Sequence, residues 1–168
     1  MCSSDLYDGA AKGCTGSWTS GDGSGGTNVD VAYEGTGSTL YGPSSSAPTD
    51  AGTYRAVATF AGDQNHVASS DATTYTIARA GTTLDVASAV DPSVFGESVT
   101  FTANVAPVTP AVGDMNGTGT VSFSDGTTPI AGCQNVALVD GTARPATATC
   151  VTADLTGGTH TIRASYSG

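Results

Sequence analysis

Val99-Thr100-Phe101-Thr102-Ala103-Asn104-Val105 alternates apolar and polar residues without a break. Period two with one apolar face is the pattern of an antiparallel strand that buries one side. Working outward, Val121 and Phe123 alternate with Thr120, Ser122 and Ser124, and Ile162, Ala164 and Tyr166 alternate with Thr161, Arg163 and Ser165. Nearer the start, Val29, Val31 and Tyr33 form one such set, and Tyr54, Ala56, Ala58 and Phe60 form another. Between these runs lie Asp125-Gly126, Asp140-Gly141 and Asp91-Pro92-Ser93, which are turn formers. A glycine-rich turn at Gly21 to Gly26 and a Pro/Ser loop from Pro43 to Pro48 punctuate the first half. The pattern predicts strands near 14–19, 28–34, 53–61 and 72–78, then near 82–90, 98–106, 118–124, 129–138, 144–151 and 159–166. The fold class this implies is all-β, as two tandem small β-sandwich modules.

Composition points the same way. Among 168 residues Thr is 27 and Val 15, while Leu is only 5 and Ile 3, so strand formers outweigh helix formers. With 38% hydrophobic and 12% charged residues, the chain is too apolar and too evenly patterned to be disordered. No apolar run approaches the roughly 20 residues of a membrane helix. Acidic residues number 15 and basic ones 5, for a net charge of −10. That balance excludes a nucleic-acid partner, which needs clustered cations, and argues against docking on an anionic membrane.

One repeat organises the chain. Gly52-Thr-Tyr-Arg-Ala-Val-Ala-Thr-Phe-Ala-Gly62 aligns without gaps with Gly158-Thr-His-Thr-Ile-Arg-Ala-Ser-Tyr-Ser-Gly168. Two copies so far apart imply two modules of one general build, at 7–80 and 81–168. Their junction, Ala78-Arg79-Ala80-Gly81, is short, so the expectation is a semi-rigid rod. The first copy continues to a further strand, Thr73 to Ile77, while the second ends at Gly168. On that reading the second module lacks its final strand and leaves an open edge, which predicts self-association. The opening Met1-Cys2-Ser3-Ser4-Asp5-Leu6 carries neither a basic nor an apolar signal region and resembles the translation of a sequencing-adapter end. Residues 1–6 are therefore set apart as non-native.

Residues 81–168 resemble a bacterial Ig-like domain of the group 3 type, found in repeats on secreted and surface proteins. The resemblance rests on Asp91-Pro-Ser-Val-Phe-Gly-Glu-Ser-Val-Thr-Phe-Thr-Ala, on Gly119-Thr-Val-Ser-Phe-Ser-Asp-Gly, and on Leu155-Thr-Gly-Gly-Thr-His-Thr-Ile-Arg-Ala-Ser-Tyr-Ser-Gly. Residues 7–80 more loosely resemble an MBG module, another all-β repeat of bacterial surface proteins. Tyr7-Asp8-Gly9, Ala47-Pro-Thr-Asp-Ala-Gly-Thr-Tyr and Ala61-Gly-Asp-Gln-Asn-His carry that likeness.

Few side chains suggest chemistry. Asp50-Ala51-Gly52-Thr53-Tyr54 has the D-x-G-x-Y spacing of a tyrosine corner, which makes Tyr54 structural. His160 takes the same place in the repeat and has no local nucleophile or carboxylate motif, so it reads as structural or solvated. His66, near Asp63 and Asn65, lacks the ligand spacing of a metal site. Asp114-Met115-Asn116-Gly117 lacks the further acidic positions of a calcium loop. Asn116-Gly117-Thr118 matches a glycosylation acceptor only formally. The Gly21 to Gly26 run has no lysine and no helix to make a phosphate loop. No catalytic, cofactor-binding or metal-binding residue is assigned.

Trp18, Tyr33 and Tyr41 offer the alternative of a sugar-stacking platform, with buried placement of these rings counting against it. Of four cysteines, Cys133 and Cys150 flank the turn expected at Asp140-Gly141. Hairpin register brings them nearly opposite, given a bulge near Pro145, which predicts a Cys133–Cys150 disulfide and an oxidising compartment. Cys14 is left unpaired or bonded to something outside this sequence.

The function expected is that of a structural spacer of a bacterial extracellular or cell-surface protein, adhesin-like and not an enzyme. The partners expected are neighbouring modules of the same chain, with a surface ligand or polysaccharide as a further candidate. The alternative is a carbohydrate-binding accessory module of a secreted polysaccharide-active enzyme.

Overall fold

A computed structural model describes residue 2 and residues 5–111, 119–139 and 145–168. All twelve regular elements among the described residues are β-strands, and every strand pairing is antiparallel. The chain divides into two compact units, Met1–Ala80 with Thr109–Val112, and Gly81–Val108 with Gly113–Gly168.

In the first unit β1 (Trp18–Thr19) pairs with β2 (Gly25–Gly26) across the glycine-rich turn. The expected strand over 14–19 is thus only its last two residues, because the preceding segment serves other bonds. The main sheet has the order β3 (Asp30–Gly35), β4 (Gly52–Phe60), β5 (Ser69–Ile77). Along β4, Tyr54, Ala56 and Phe60 are buried while Arg55 and Thr59 are exposed, as alternation requires. Arg55 reaches Glu34 on β3 at 2.8 Å, a cross-strand ion pair on the open face. Tyr33, Tyr54, Ala56, Tyr75 and Ile77 make the core.

Residues set apart at the sequence level take part in this unit. Cys2 and Cys14 are joined by a disulfide, with Cα atoms 4.1 Å apart. Ala78 donates its N–H to Asp5, and Tyr7 donates to Ala78. The expectation for Cys14 is therefore corrected: its partner is Cys2, in the opening segment.

The second unit is a sandwich. One sheet has the order β11 (Ala146–Thr152), β7 (Val99–Pro107), β6 (Thr82–Ser88). The other has the order β10 (Val136–Ala137), β8 (Thr120–Asp125), β12 (Ile162–Ser167), with β9 (Thr128–Pro129) also on β8. Val99, Phe101, Ala103 and Val105 of β7 face Val121 and Phe123 of β8 in one core, joined by Ala148 and Cys150 of β11. Burying these side chains on both inner faces is the main term holding the sheets together.

Two expectations fail here. The strand over 129–138 is broken: Gly132 and Asn135 both have positive φ, so the chain turns twice between β9 and β10. The predicted Asp140-Gly141 turn lies outside the described residues, as do Asp114 to Thr118. The hairpin argument for Cys133 and Cys150 fails with that strand. Val139 bridges Thr147, a register that does not oppose the two cysteines. Cys133 instead lies in the loop bound to β8, its carbonyl accepting from Phe123, while Cys150 sits on β11 of the other sheet. Their disulfide, with Cα atoms 5.3 Å apart, crosses between sheets and requires no bulge.

Candidate functional site

The hydroxyls of Tyr33, Tyr41, Tyr54 and Tyr75 in the first unit end in hydrogen bonds. Tyr54 is 1% exposed and donates to the Asp50 carbonyl at 2.7 Å, the tyrosine-corner bond four residues back. Burial pushes its phenol pKa up. Tyr41 donates to Ser46 and Tyr75 to Lys12, and Tyr75 is pushed up to about 12, chiefly by burial. Tyr33 accepts from the Cys14 N–H at 2.9 Å. Trp18 lies on Phe60 with ring centres 4.4 Å apart and planes 12° from parallel, while Tyr41 meets Tyr54 edge-on. Tyr33 is buried in the core against which Tyr41 packs, while Trp18 stacks apart on Phe60.

His160 shows what the repeat alignment meant. Its Nε2 lies 2.8 Å from the Thr156 carbonyl, four residues back, as the Tyr54 hydroxyl lies from Asp50. Its Nδ1 lies 2.6 Å from Asp125, which ends β8. A carbonyl and a carboxylate can only accept, so the ring satisfies both by donating from both nitrogens. The Thr156 carbonyl first, then Asp125, raises the His160 pKa, and the His160 bond holds Asp125 low. His160 ties the Thr156–Thr161 turn to the end of β8. The repeat marked the position, but nothing local in the sequence pointed to Asp125, which is 35 residues away.

Sequence reasoning missed a third arrangement. Ser24 Oγ lies 3.0 Å from His66 Nε2, and His66 Nδ1 lies 2.8 Å from Asp63. Those distances are those of a serine–histidine–aspartate relay. The proton count argues against that chemistry. Ser24 Oγ also lies 2.5 Å from Asp22, which competes with His66 Nε2 for the single hydroxyl hydrogen. Asp63, by hydrogen bonding first, raises the His66 pKa, and Asp22 adds to it. In its protonated form, which Asp63 and Asp22 favour, the ring has no lone pair with which to take a serine proton. The Ser24 N–H is bound by Asp22 and the Gly23 N–H by Ser20, so neither is available to stabilise an oxyanion. Asp22 is lowered to about 2, first by the Ser24 hydroxyl. The cluster fastens the β1–β2 turn to the loop after β4. Among the described residues no group of three or more His, Cys, Asp or Glu is placed to hold a metal ion.

The second unit, two antiparallel sheets face to face over an alternating core, is an Ig-like sandwich. Residues 86–168 match the family model of the bacterial Ig-like domain, group 3, and this part of the chain is such a domain. It is a bacterial structural domain by that family. No curated protein and no solved structure matches the chain.

Proposed function

We propose that the chain is a structural spacer from a bacterial extracellular or cell-surface protein, adhesin-like, with no chemistry of its own. The observation that carries this is the state of its reactive groups. Both histidines, the serine beside one of them, the buried tyrosines and all four cysteines are used in holding loops to strands. The family match of residues 86–168 supports a structural role, and two disulfides suit an oxidising compartment. The first unit, MBG-like in sequence, serves as a second spacer module.

A spacer must bear load. The Cys133–Cys150 bond closes a separation of 17 residues. At about 3.5 Å per extended residue, it withholds roughly 60 Å of contour length from a pulled chain. Single-molecule stretching of the oxidised and reduced protein should show the second unit's extension differing by that length. A screen of polysaccharides and esters should show neither binding nor turnover. Turnover abolished by one substitution, or glycan binding abolished by Trp18→Ala, would refute the spacer reading.

A further inference from the structure

The β1–β2 hairpin has little ladder of its own. Trp18 pairs with Gly26 and Thr19 with Gly25, and a ladder that short is marginal in water. Trp18 Nε1 donates to Asn28 at 2.6 Å, a bond between the two legs of the same hairpin. Attachment to the main sheet comes from elsewhere. Trp18 stacks on Phe60, the last residue of β4, and His66, in the loop that follows, reaches Ser24. At the foot of the hairpin Gly16 rests on Val29 and Ala58, where an added Cβ would lie 2.6 and 3.0 Å from their side chains. The foot is thus packed on the sheet, while the tip, Asp22 and Ser24, is tied through the His66 ring.

That tie depends on protons. Asp63 lies 2.8 and 2.9 Å from Nδ1 and also accepts from the Asn65 and His66 N–H groups, which fixes the ring on its own loop. Across the gap, Nε2 lies 3.0 Å from Ser24 Oγ and 3.7 Å from Asp22. With the ring protonated, Nε2 donates to Ser24, Ser24 donates to Asp22, and every acceptor is served. With the ring neutral, Asp63 keeps the hydrogen on Nδ1 and Nε2 becomes an acceptor. One hydroxyl hydrogen then faces two acceptors, and the positive charge between the two carboxylates is gone. Trp18 loses the cation beside its ring as well, with ring centres 4.9 Å apart. Among the described residues the charged groups facing His66 are Asp63 on its own loop and Asp22 on the hairpin turn; Ser24 and Trp18, packed against it from the hairpin, carry no charge.

We infer that His66 is a pH-operated latch on the β1–β2 hairpin, closed when the ring is protonated and released when it is neutral, with the rest of the first unit still folded. Both carboxylates favour the protonated ring, so closure and protonation reinforce each other. The latch is complete below the pKa of the ring in the open hairpin and is lost as pH rises through the higher value of the closed one. Over that span the closed-to-open ratio falls about tenfold per pH unit. Asp22, held at about 2, and Asp63, also lowered, stay charged throughout it. Release bares the face of Trp18 that Phe60 covers, so an apolar surface is offered in alkaline but not in mildly acidic surroundings.

Trp18, the only tryptophan, reports the latch in the full oxidised chain, and the other histidine, His160, lies in the second unit. Quenching of its fluorescence by acrylamide, followed from about pH 5 to about pH 9, should rise in one step. The emission should move to longer wavelength over the same step while far-ultraviolet circular dichroism keeps the signal of a folded chain. His66→Gln cannot titrate and should abolish the step. Asp22→Asn removes one of the two carboxylates and should move the step to lower pH. A parent without a quenching step overturns the inference, as does a step that persists in His66→Gln. So does a step that coincides with loss of the dichroism signal, since the unit would then be unfolding as a whole. If His66→Gln fails to fold, a step left in place by Asp22→Asn overturns it instead.

Discussion

Replacing both Cys133 and Cys150 by alanine should destabilise the second unit alone. The two sulfurs are almost fully buried, and the bond clasps opposite sheets. In the chain-entropy account, closing a loop of 17 residues contributes about 3 kcal/mol. Alanine leaves no polar group in the core, so this loop term dominates the change. A domain of this size has about 5–15 kcal/mol of stability in all, so the loss is a large share. At about 4–8 °C per kcal/mol, the unit's melting midpoint should fall by more than about 10 °C. The denaturant slope should rise as well, because an uncrosslinked denatured chain exposes more surface. Two probes separate the units. The only tryptophan, Trp18, lies on Phe60 in the first unit, so its fluorescence follows that unit, while far-ultraviolet circular dichroism follows both. The dichroism should split into two transitions and the fluorescence midpoint should stay in place. A destabilisation below about 1 kcal/mol would refute the reasoning, as it would mean that the sandwich core alone restrains this loop.

Tyr54→Phe deletes the donor to the Asp50 carbonyl and should cost about 0.5–1.5 kcal/mol, read from the Trp18 unfolding curve. His66 and His160 have raised folded pKa values, so their stabilisation is complete below their unfolded pKa and is lost as pH rises through the folded one. Asp22, Asp63 and Asp125 are lowered, so their stabilisation is lost as pH falls through their folded values. Stability should therefore peak in mildly acidic solution, and His160→Gln should remove the second unit's share of the decline above the peak in a pH series of melting curves. A fluorophosphonate that labels activated serines should leave Ser24 unmodified by mass spectrometry, and labelling would show that His66 acts as a base.

What was legible in the sequence was whatever had a short period. The alternation from Val99 to Val105 became β7, and the D-x-G-x-Y spacing led to the Tyr54–Asp50 bond. Contacts set by distant segments were not legible. The Asp125 partner of His160 comes from another strand, and Ser24 meets His66 across 42 positions. The disulfide shows a right pair reached by a wrong route. Apolar spacing suggested one strand from 129 to 138, while the backbone at Gly132 and Asn135 turns away and carries Cys133 toward the opposite sheet. The Cys2–Cys14 bond was not legible because the opening residues carry no strand pattern that ties them to the first unit.

The scarcity of cations also bears on how long such a chain survives among proteases. Trypsin-like enzymes cut after Lys or Arg, and only five such residues exist. Arg55 lies within β4 and is bound to Glu34, and Arg163 lies within β12. Lys12 is tied to Asp8 at 2.7 Å. A peptide must be drawn out of its ladder into an extended loop before a protease can grip it, so cleavage at Arg55 or Arg163 has to wait for local unfolding.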